Sequence, residues 1–465
     1  MTAPAVIILA AGRGKRMKSH TPKVLHSVGG RPMLEYVLRT AEALAPVQTV
    51  VVVGHRAEAV EAFLAGRAAV ARQDPPRGTG DAVRCAMAAL SAFRGTAVIL
   101  SGDTPLLSAE TVARLLAGHE RSGAALTLAT TRIPDPGGYG RVVRGAGDAV
   151  TAVVEERDAA PEHRAISEVN AGIYAIESSY LAAALTLLKA DNAQGEYYLT
   201  DVIGIAVAQG RLVCAEAVDA EEVIGINSRG DLARVEAIVR ERVRQQWMAQ
   251  GVTMLDPARV LIDTGVTIGS DTVLAPGVWL EGATEIGAAC VIGAGSHIIS
   301  SRLGEGVEIK DHCVIDRAVI EDGASVGPFA HLRPDTVLRK KSKVGNFVEL
   351  KKAELGAGSK ANHLTYLGDA TIGADVNIGA GTITCNYDGE HKHRTVIEDG
   401  VFVGSDTQFV APVRVGKGAI IAAGATVTAD VPEDALVISR VKQVVKPGWA
   451  KRLRETRGKK KETRG

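Results

Sequence analysis

The chain has 465 residues, which is more than one ordinary hydrophobic core accommodates and therefore predicts two domains. A formal net charge of +1 with 46% hydrophobic residues suits a soluble globular protein and gives no support to nucleic-acid binding. The five cysteines are far apart and lack metal-ligand spacing, which indicates reduced thiols in the cytoplasm, and no apolar run is long enough to insert into a membrane.

The first predicted strand leads into a glycine-rich, basic loop. Residues 9–17 read LAAGRGKRM directly after the apolar run AVII. Neither the dinucleotide fingerprint nor the Walker A pattern fits this loop. Its glycines still allow close backbone approach, and Lys15, Arg16 and Lys23 supply positive charge, so the loop predicts a phosphate site. A tight strand-to-helix turn with solvated cations is the alternative on these residues alone.

Residues 1 to about 228 alternate strand-like apolar runs with segments of helical periodicity. This alternation predicts βαβ units with a mostly parallel sheet. Ligands in such folds bind beyond the carboxyl ends of strands, where both the basic loop and the stretch LSGD fall. Asp103 in that stretch is a carboxylate suited to Mg²⁺, and an N-cap for the following helix is its local alternative.

The stretch DLARVEAIVRERVRQQWMAQ predicts one linker helix over residues 230–250, with Asp231 as N-cap. Its apolar stripe consists of Leu232, Val235, Val239, Val243 and Trp247. From Ile268 to Val427 an aliphatic or other apolar residue recurs every six residues, with occasional steps of five and one insertion. This is the hexapeptide β-helix pattern, in which three short strands form a triangular coil. A passive solenoid is the alternative for this half alone.

The predicted domain plan follows from these changes of pattern. It has a first domain over residues 1–229, the linker helix over 230–250, a β-helix over 251–445 and a tail over 446–465. The tail is basic and poor in apolar residues, so we expect a solvated, disordered end. A basic arm for nucleic acid is the less favoured alternative.

Several motifs together carry a family resemblance. LAAGRGKRM…PKVLH, GTGDAV, SGDTPLL, GYGRVVR and VNAGIY resemble sugar-phosphate nucleotidyltransferases, and HLRPDT, GNFVELKKAELGAGSKANHLTYLGDATIG, NIGAGTITCNYDG and FVGSDTQFVAPV resemble an acetyltransferase. Over residues 5 to 445 the chain resembles the bacterial family of bifunctional N-acetylglucosamine-1-phosphate uridyltransferases and glucosamine-1-phosphate N-acetyltransferases. The implied fold is a Rossmann-like α/β nucleotidyltransferase domain followed by a left-handed parallel β-helix of hexapeptide repeats.

The resemblance implies two reactions on small-molecule substrates. Acetyl-CoA would acetylate glucosamine-1-phosphate, and the product, N-acetylglucosamine-1-phosphate, would receive UMP from UTP with release of pyrophosphate. The resulting UDP-N-acetylglucosamine would serve cell-envelope polymers. The resemblance also implies a homotrimer, with each acetyl site built from more than one chain. Two alternatives are a uridyltransferase whose β-helix is only an oligomerisation or regulatory module, and a non-enzymatic trimeric scaffold that binds nucleotide-sugar.

The resemblance assigns residues to the first site. The nucleotide would be held by Leu9, Ala10, Ala11 and Gly12, its phosphates by Arg16 and Lys23, its uracil by Gln73, Gly78 and Thr79, and the sugar nucleotide by Gly140, Glu155, Asn170 and Asn227. Gly102 and Asp103 complete the set, and Asp103 with Asn227 would bind Mg²⁺. Ser101 departs from the family pattern, because many relatives have Tyr there.

In the second site the resemblance makes His363 of ANHLTY the general base, a role that suits imidazole because its unperturbed pKa lies near neutrality. By itself a lone histidine is more often structural. The resemblance gives the sugar phosphate to Arg333 and Lys351, the sugar to Tyr366 and Asn377, and acetyl-CoA to Ala380, Asn386, Tyr387, Ser405, Ala423 and Arg440. Ser405 would steady the oxyanion and Glu349 would orient His363. The insertion TCNYDGEHKHR would help to build the site, or would be an ordinary solenoid insertion.

Overall fold

The computed structural model describes residues 3–462. The chain divides into two compact units, the first ending at Val243 and the second beginning at Arg244. No helix among the described residues is both long enough and apolar enough to cross a lipid bilayer.

The first unit contains a sheet with helices on both faces. Its strands are β1 (Ala5–Leu9), β2 (Ser27–Val28), β3 (Arg31–Pro32), β4 (Gln48–Val53), β5 (Ala69–Arg72), β6 (Thr96–Ser101), β7 (Leu126–Arg132), β8 (Arg141–Arg144), β9 (Val150–Val154), β10 (Glu168–Glu177) and β11 (Val213–Ala217). The helices that begin in this unit are α1 (Met33–Ala43), α2 (Ala57–Leu64), α3 (Thr79–Ala89), α4 (Ala109–Ser122), α5 (Pro161–Arg164), α6 (Ser178–Leu187), α7 (Asp201–Ala208) and α8 (Arg229–Ala249).

The main sheet has the strand order β11-β7-β10-β6-β1-β4-β5. β10 is antiparallel to both of its neighbours, β6 and β7, and the other pairs along this path are parallel. Because helices cover both faces, the central strands are apolar throughout, as the run Ala5–Ile8 at 0% exposure shows. The predicted mostly parallel α/β fold is confirmed. The adjacent β1 and β6 place the basic loop and Asp103 at one edge of the sheet.

Helix α8 covers the stretch of the predicted linker helix, but its cap differs from the prediction. The helix begins at Arg229, and the hydroxyl of Ser228 accepts a hydrogen bond from the amide of Asp231 at 3.2 Å. The carboxylate of Asp231 accepts in return from the amide of Ser228 at 2.8 Å. The prediction of Asp231 as N-cap is therefore wrong, because a reciprocal capping box makes Ser228 the cap.

The second unit is a parallel β-helix with three faces. Face 1 consists of Thr253–Met254, Val273–Leu274, Val291–Ile292, Glu308–Ile309, Ser325–Val326, Lys343–Asn346, Lys360–His363, Asn377–Ile378, Phe402–Val403, Ile420–Ile421 and Leu436–Val437. Face 2 consists of Leu261–Ile262, Trp279–Glu281, His297–Ile299, Val314–Asp316, His331–Leu332, Glu349–Lys351, Tyr366–Gly368, Ile383–Cys385, Gln408–Val410 and Thr426–Val427. Face 3 consists of Thr267–Ile268, Glu285–Ile286, Arg302–Leu303, Val319–Ile320, Val337–Leu338, Glu354–Leu355, Ala370–Ile372, Thr395–Ile397 and Val413–Val415.

The hexad positions form the core of this β-helix. Every apolar residue of the predicted series from Ile268 to Val427 is at most 6% exposed. The parallel register stacks equivalent positions directly, as in the pairs of Leu332 with Leu350 and Leu350 with Leu367. A six-residue period therefore identified which side chains point inward, and the prediction of a hexapeptide β-helix is confirmed.

Part of the tail for which composition predicts a solvated, disordered end is helical. Helix α9 covers Trp449–Glu462, and residues 463–465 lie outside the described residues. Trp449 and Leu453 are 55% and 42% exposed. Residues with high helix propensity, such as Ala450 and Leu453, favour a helix although the side chains of residues 449–456 are all exposed.

Candidate active sites

The first candidate site is a cavity of about 530 Å³ at the carboxyl ends of β1 and β6. It is lined by nine of the residues assigned to the nucleotide: Leu9, Ala10, Ala11, Gly12, Lys23, Gln73, Gly78, Thr79 and Asp103. The lining also contains Lys15, one of the cations from which the loop predicts a phosphate site, and residues that the sequence analysis did not assign, namely Arg13, Gly14, Val24, Pro76, Ala82, Ser101 and Glu196. Arg13 could have been found from the basic loop itself, since it belongs to it.

A glycine of the basic loop is required by close packing. Gly14 has a φ of +55°, and a Cβ added to it would lie 2.9 Å from the Cβ of Lys23. Any larger residue would push Lys23 away from the cavity. The loop conformation therefore keeps Lys23 in the lining of the cavity.

Lys23 lies between the two predicted metal ligands. Its Nζ donates to a carboxylate oxygen of Asp103 and, at 3.1 Å, to Oδ1 of Asn227. The two oxygens thus converge on one cationic atom. Two backbone bonds hold this arrangement, from the Ile226 amide to the Asp103 carbonyl at 2.9 Å and from the Asn227 amide to the Asp231 carboxylate at 3.0 Å.

This donor set fits Mg²⁺. A carboxylate and an amide oxygen are hard ligands, and Mg²⁺ in phosphoryl-transfer sites takes few protein ligands and fills its sphere with phosphate and water oxygens. Within residues 3–462 no group of three or more His, Cys, Asp or Glu side chains could hold a metal ion. At this place the protein offers one carboxylate and one amide oxygen, and both lie against the ammonium of Lys23.

Three residues assigned to the sugar form a second cluster outside the lining of this cavity. The amide of Asn170 donates to the Gly140 carbonyl at 2.9 Å. A Cβ on Gly140 would lie 2.8 Å from a methyl carbon of Val153 and 3.5 Å from Oε2 of Glu155, so close packing against Val153 requires glycine beside that carboxylate. Glu155 accepts from the Thr200 hydroxyl at 3.0 Å. Burial raises the pKa of Glu155, and the charges of Asp201 and Asp158 act in the same direction.

The remaining residues of the first set lie close to these groups. Gly102 donates through its amide to the Leu9 carbonyl at 2.9 Å, which fixes the turn before Asp103. Arg16 does not line the cavity. Its positive charge favours the ionised form of Asp231 at the start of α8. Ser101 lines the cavity and turns its hydroxyl toward the Gly172 carbonyl, 3.5 Å away.

In the second unit, His363 ends a face 1 strand and is paired in register with Asn346. Its Nδ1 lies 2.8 Å from Oδ1 of Asn346. An amide oxygen only accepts, so Nδ1 donates to it, and in the neutral ring the lone pair then lies on Nε2. The expectation that Glu349 orients His363 is wrong, because that carboxylate binds Arg333 at 2.8 Å instead. The signal for Asn346 was its position, one coil of 17 residues before His363.

Arg333 follows one strand of face 2 and Lys351 ends the neighbouring strand, where the Arg333 amide donates to the Leu350 carbonyl at 2.9 Å. Lys351 is joined by Lys392, which the sequence analysis did not assign. Close contact with the Lys392 ammonium holds the pKa of Lys351 below its ordinary value, and the charge of Arg333 adds to this effect. Three cations in one place suit a phosphate dianion. Tyr366 lies on face 2, and Asn377 lies on face 1.

The insertion after Cys385 is a small hairpin that brings Lys392 to Lys351. Tyr387 and Lys392 form an antiparallel bridge, and the His393 amide donates to the Asn386 carbonyl at 2.8 Å. Amides of the hairpin, first that of His391, hold the pKa of Asp388 well below its usual range. The hairpin also presents Tyr387, which is 58% exposed.

The other residues assigned to acetyl-CoA follow one edge of the three-faced β-helix, which we call the prism. At this edge, the corner, face 1 turns into face 2. The Asp406 amide donates to the Ala380 carbonyl at 2.7 Å, and the Gly424 amide donates to the Ser405 carbonyl at 2.8 Å. The Arg440 guanidinium donates to the Ala423 carbonyl at 2.6 Å. Since the strands keep one parallel register, the corner column is His363, Ala380, Ser405 and Ala423, from successive coils.

Comparisons with known proteins cover both units. A family described as MobA-like NTP transferase domain matches residues 6–175, the GMPPB C-terminal domain matches 257–355, and the bacterial transferase hexapeptide (six repeats) matches 394–429. The fold is accordingly a Rossmann-like nucleotidyltransferase domain followed by a left-handed parallel β-helix of hexapeptide repeats.

Curated relatives match the chain over nearly all of its length. The protein named bifunctional protein GlmU from Trichlorobacter lovleyi is 50% identical over 98% of this chain and 100% of the relative. Proteins of the same name from Pelobacter propionicus and Shouchella clausii are 50% and 47% identical, each over 97% of this chain and over 99% and 100% of the relative.

Proposed function

The chain belongs to the bifunctional GlmU family, and we propose from that membership that each of its two units carries its own transferase site. It is an enzyme that acetylates glucosamine-1-phosphate with acetyl-CoA and then transfers UMP from UTP to N-acetylglucosamine-1-phosphate, releasing pyrophosphate. The observation that carries this conclusion is identity of about 50% over 98% of the chain, which includes both the nucleotidyltransferase unit and the hexapeptide β-helix.

In the first unit, an oxygen of the sugar phosphate attacks the α-phosphorus of UTP, and the bond to pyrophosphate breaks. Both reactants are anions, so the site has to neutralise charge and hold them in line. Lys23, Arg13 and Lys15 bring three positive charges to the cavity, and Gln73, Gly78 and Thr79, which also line it, would contact the uracil. The Gly140, Glu155 and Asn170 cluster would receive the sugar.

Asp103 and Asn227 would hold Mg²⁺, which when bound supplies positive charge to the phosphate oxygens. The convergence of both oxygens on the ammonium of Lys23 supports this assignment.

In the second unit, the amine of glucosamine-1-phosphate attacks the thioester carbonyl of acetyl-CoA. The free Nε2 of His363 accepts the amine proton as the carbon–nitrogen bond forms, and the proton then goes to the departing coenzyme A thiolate. Asn346 fixes the tautomer that leaves Nε2 free. Arg333, Lys351 and Lys392 would bind the sugar phosphate, and Ser405 of the corner column would donate to the oxyanion.

We expect a homotrimer in which a neighbouring copy completes the acetyl site. His363 is exposed, and the side chains of Arg333 and Glu349 are both 39% exposed, so these groups lie on an open face of the prism. A thioester transfer that excludes water needs a second surface over them. A cytoplasmic location is consistent with the five free cysteines.

The experiment that tests the two-site proposal follows each reaction separately. Purified protein is mixed with glucosamine-1-phosphate and acetyl-CoA and free thiol is measured, beside His363→Ala. We expect thiol release by the parent chain, its loss in the variant, and unchanged pyrophosphate release from UTP and N-acetylglucosamine-1-phosphate. Pyrophosphate release without thiol release by the parent would reduce the β-helix to a scaffold.

A further inference from the structure

Residues 196–200 lie between the proposed nucleotide and sugar sites and bond to both. The amide of Leu199 donates to the hydroxyl of Thr79 at 3.0 Å, on the uracil side. The hydroxyl of the next residue, Thr200, donates to Oε1 of Glu155 at 3.0 Å, on the sugar side. One peptide link therefore connects a group assigned to UTP with a group assigned to the sugar phosphate.

The segment is fixed at its nucleotide end. The Gly80 amide donates to the Tyr197 carbonyl at 2.8 Å, and the Tyr197 amide donates to the Arg77 carbonyl at 2.8 Å. A Cβ on Gly78 would come within 2.6 Å of that Tyr197 carbonyl oxygen, so only glycine permits the contact. Thr200 is 4% exposed and has little freedom to turn its hydroxyl elsewhere. The bond to Glu155 therefore starts from a rigid support.

The groups around Glu155 explain why its hydrogen bond to Thr200 matters. Asp158, Asp201, Lys189 and Tyr198 line, together with Glu155, a neighbouring cavity of about 390 Å³. The charge of Glu155 also acts on Tyr174 of β10, whose hydroxyl accepts from the side-chain amide of Asn170 at 2.6 Å. Burial disfavours the ionised form of Glu155, and the carboxylates of Asp201 and Asp158 act in the same direction. The hydroxyl of Thr200 favours the ionised form.

We propose that Thr200 is a positioning residue for the sugar-phosphate half of uridyl transfer, because it holds the Glu155 carboxylate toward the sugar from the support that also holds Thr79. The inference rests on the proposed function, since Glu155 receives the sugar only if the first unit is the uridyltransferase. Thr200 does not touch the reacting atoms. Its loss should therefore weaken sugar binding and leave nucleotide binding in place.

The test compares three variants of the full chain with the parent. Thr200→Val keeps the shape and removes the hydroxyl, Thr200→Ser keeps a hydroxyl, and Tyr198→Phe removes a hydroxyl that in this segment bonds to Asp158 instead. KM is measured for N-acetylglucosamine-1-phosphate and for UTP, and kcat/KM for the sugar phosphate is followed against pH.

Thr200→Val should raise KM for the sugar phosphate about tenfold, the scale of one lost bond to a buried charged group, and change KM for UTP less than about twofold. In the pH profile of kcat/KM for the sugar phosphate, the acid limb of this variant should move to higher pH, because Glu155 loses a hydrogen bond that favours its ionised form. Thr200→Ser and Tyr198→Phe should behave like the parent.

Equal rises in both KM values, an unmoved acid limb, or failure of Thr200→Ser to restore sugar binding would overturn the inference and leave the proposed function intact. Absence of uridyl transfer by the parent chain would overturn both. KM for UTP reports whether the first unit of each variant is correctly folded, and acetyl transfer reports the same for the second unit.

Discussion

The ring of His363 and the amide of Asn346 are joined across one coil of the β-helix, with Nδ1 and Oδ1 2.8 Å apart. Their strands are in parallel register, so the contact follows from the backbone and requires no long loop. It leaves Nε2 as the basic atom of the ring and makes Asn346 the partner that orients the proposed base.

The first prediction concerns this contact. Asn346→Ala should lower kcat for acetyl transfer by about 10- to 100-fold, because the ring loses the partner that fixes its tautomer and orientation. Uridyl transfer by the same protein serves as the internal control and should be unchanged. Thiol release at the parental rate would show that His363 needs no orienting partner.

The second prediction concerns metal removal. EDTA should stop pyrophosphate release and leave thiol release intact, because Asp103 and Asn227 lie in the first unit and the acetyl chemistry uses His363. Asp103→Asn should raise the Mg²⁺ concentration that gives half-maximal uridyl transfer, since a neutral amide binds a hard cation less well than a carboxylate. Full uridyl transfer in EDTA would contradict the assignment of both ligands.

The third prediction concerns stability and pH. Burial raises the pKa of Glu155. A carboxyl with a higher pKa in the folded chain stabilises the fold below its unfolded pKa and loses that contribution as the pH rises through the folded value. Glu155→Gln should therefore raise the unfolding temperature of the first unit at pH 8, and this gain should vanish below about pH 4, where both states are protonated.

The matched control for that measurement is Asp191→Asn, which removes an exposed carboxylate from the same 390 Å³ cavity. Its unfolding temperature should follow the parent at both pH values. A decrease for Glu155→Gln at pH 8 would mean that the carboxylate stabilises the fold and is not strained by burial.

The fourth prediction uses two neighbours on one strand of face 1. Ile309 points inward and is 0% exposed, whereas Glu308 points outward. Ile309→Ala should lower the free energy of unfolding of the second unit by about 2–5 kcal/mol, because it opens a cavity in the core. Glu308→Ala should change it by less than about 1 kcal/mol. Urea unfolding measures both free energies, and equal effects of the two substitutions would contradict the inward orientation of Ile309.

The sequence predicts the β-helix core well because a strict period fixes which side chains point inward. Ile268 and Val427, at the two ends of the series, are both buried as the period requires. The α/β unit is similarly readable, since buried parallel strands are continuous apolar runs. Positions determined by the backbone alone, such as the corner column, follow from the same regularity.

Contacts between side chains are less predictable. Asp231 is a reasonable N-cap by residue type, and only the hydrogen bonds reveal that Ser228 holds that place. Lys392 reaches Lys351 because of the shape of a hairpin, for which no period exists. Glu349 and Asn346 are both suited to orient a histidine, and the choice depends on where Arg333 directs its guanidinium.

The corner column places residues at regular intervals along the β-helix. His363, Ala380, Ser405 and Ala423 come from successive coils, and coils of parallel strands repeat every 4.8 Å or so, which places the first and last about 14 Å apart. Each coil therefore adds about 4.8 Å to the length of the column. Removing one whole coil between His363 and Ala423 would shorten the column by one such step and leave the parallel hydrogen-bonding pattern unbroken, so the length of an acyl carrier bound along the column, as proposed, would be set by the number of coils.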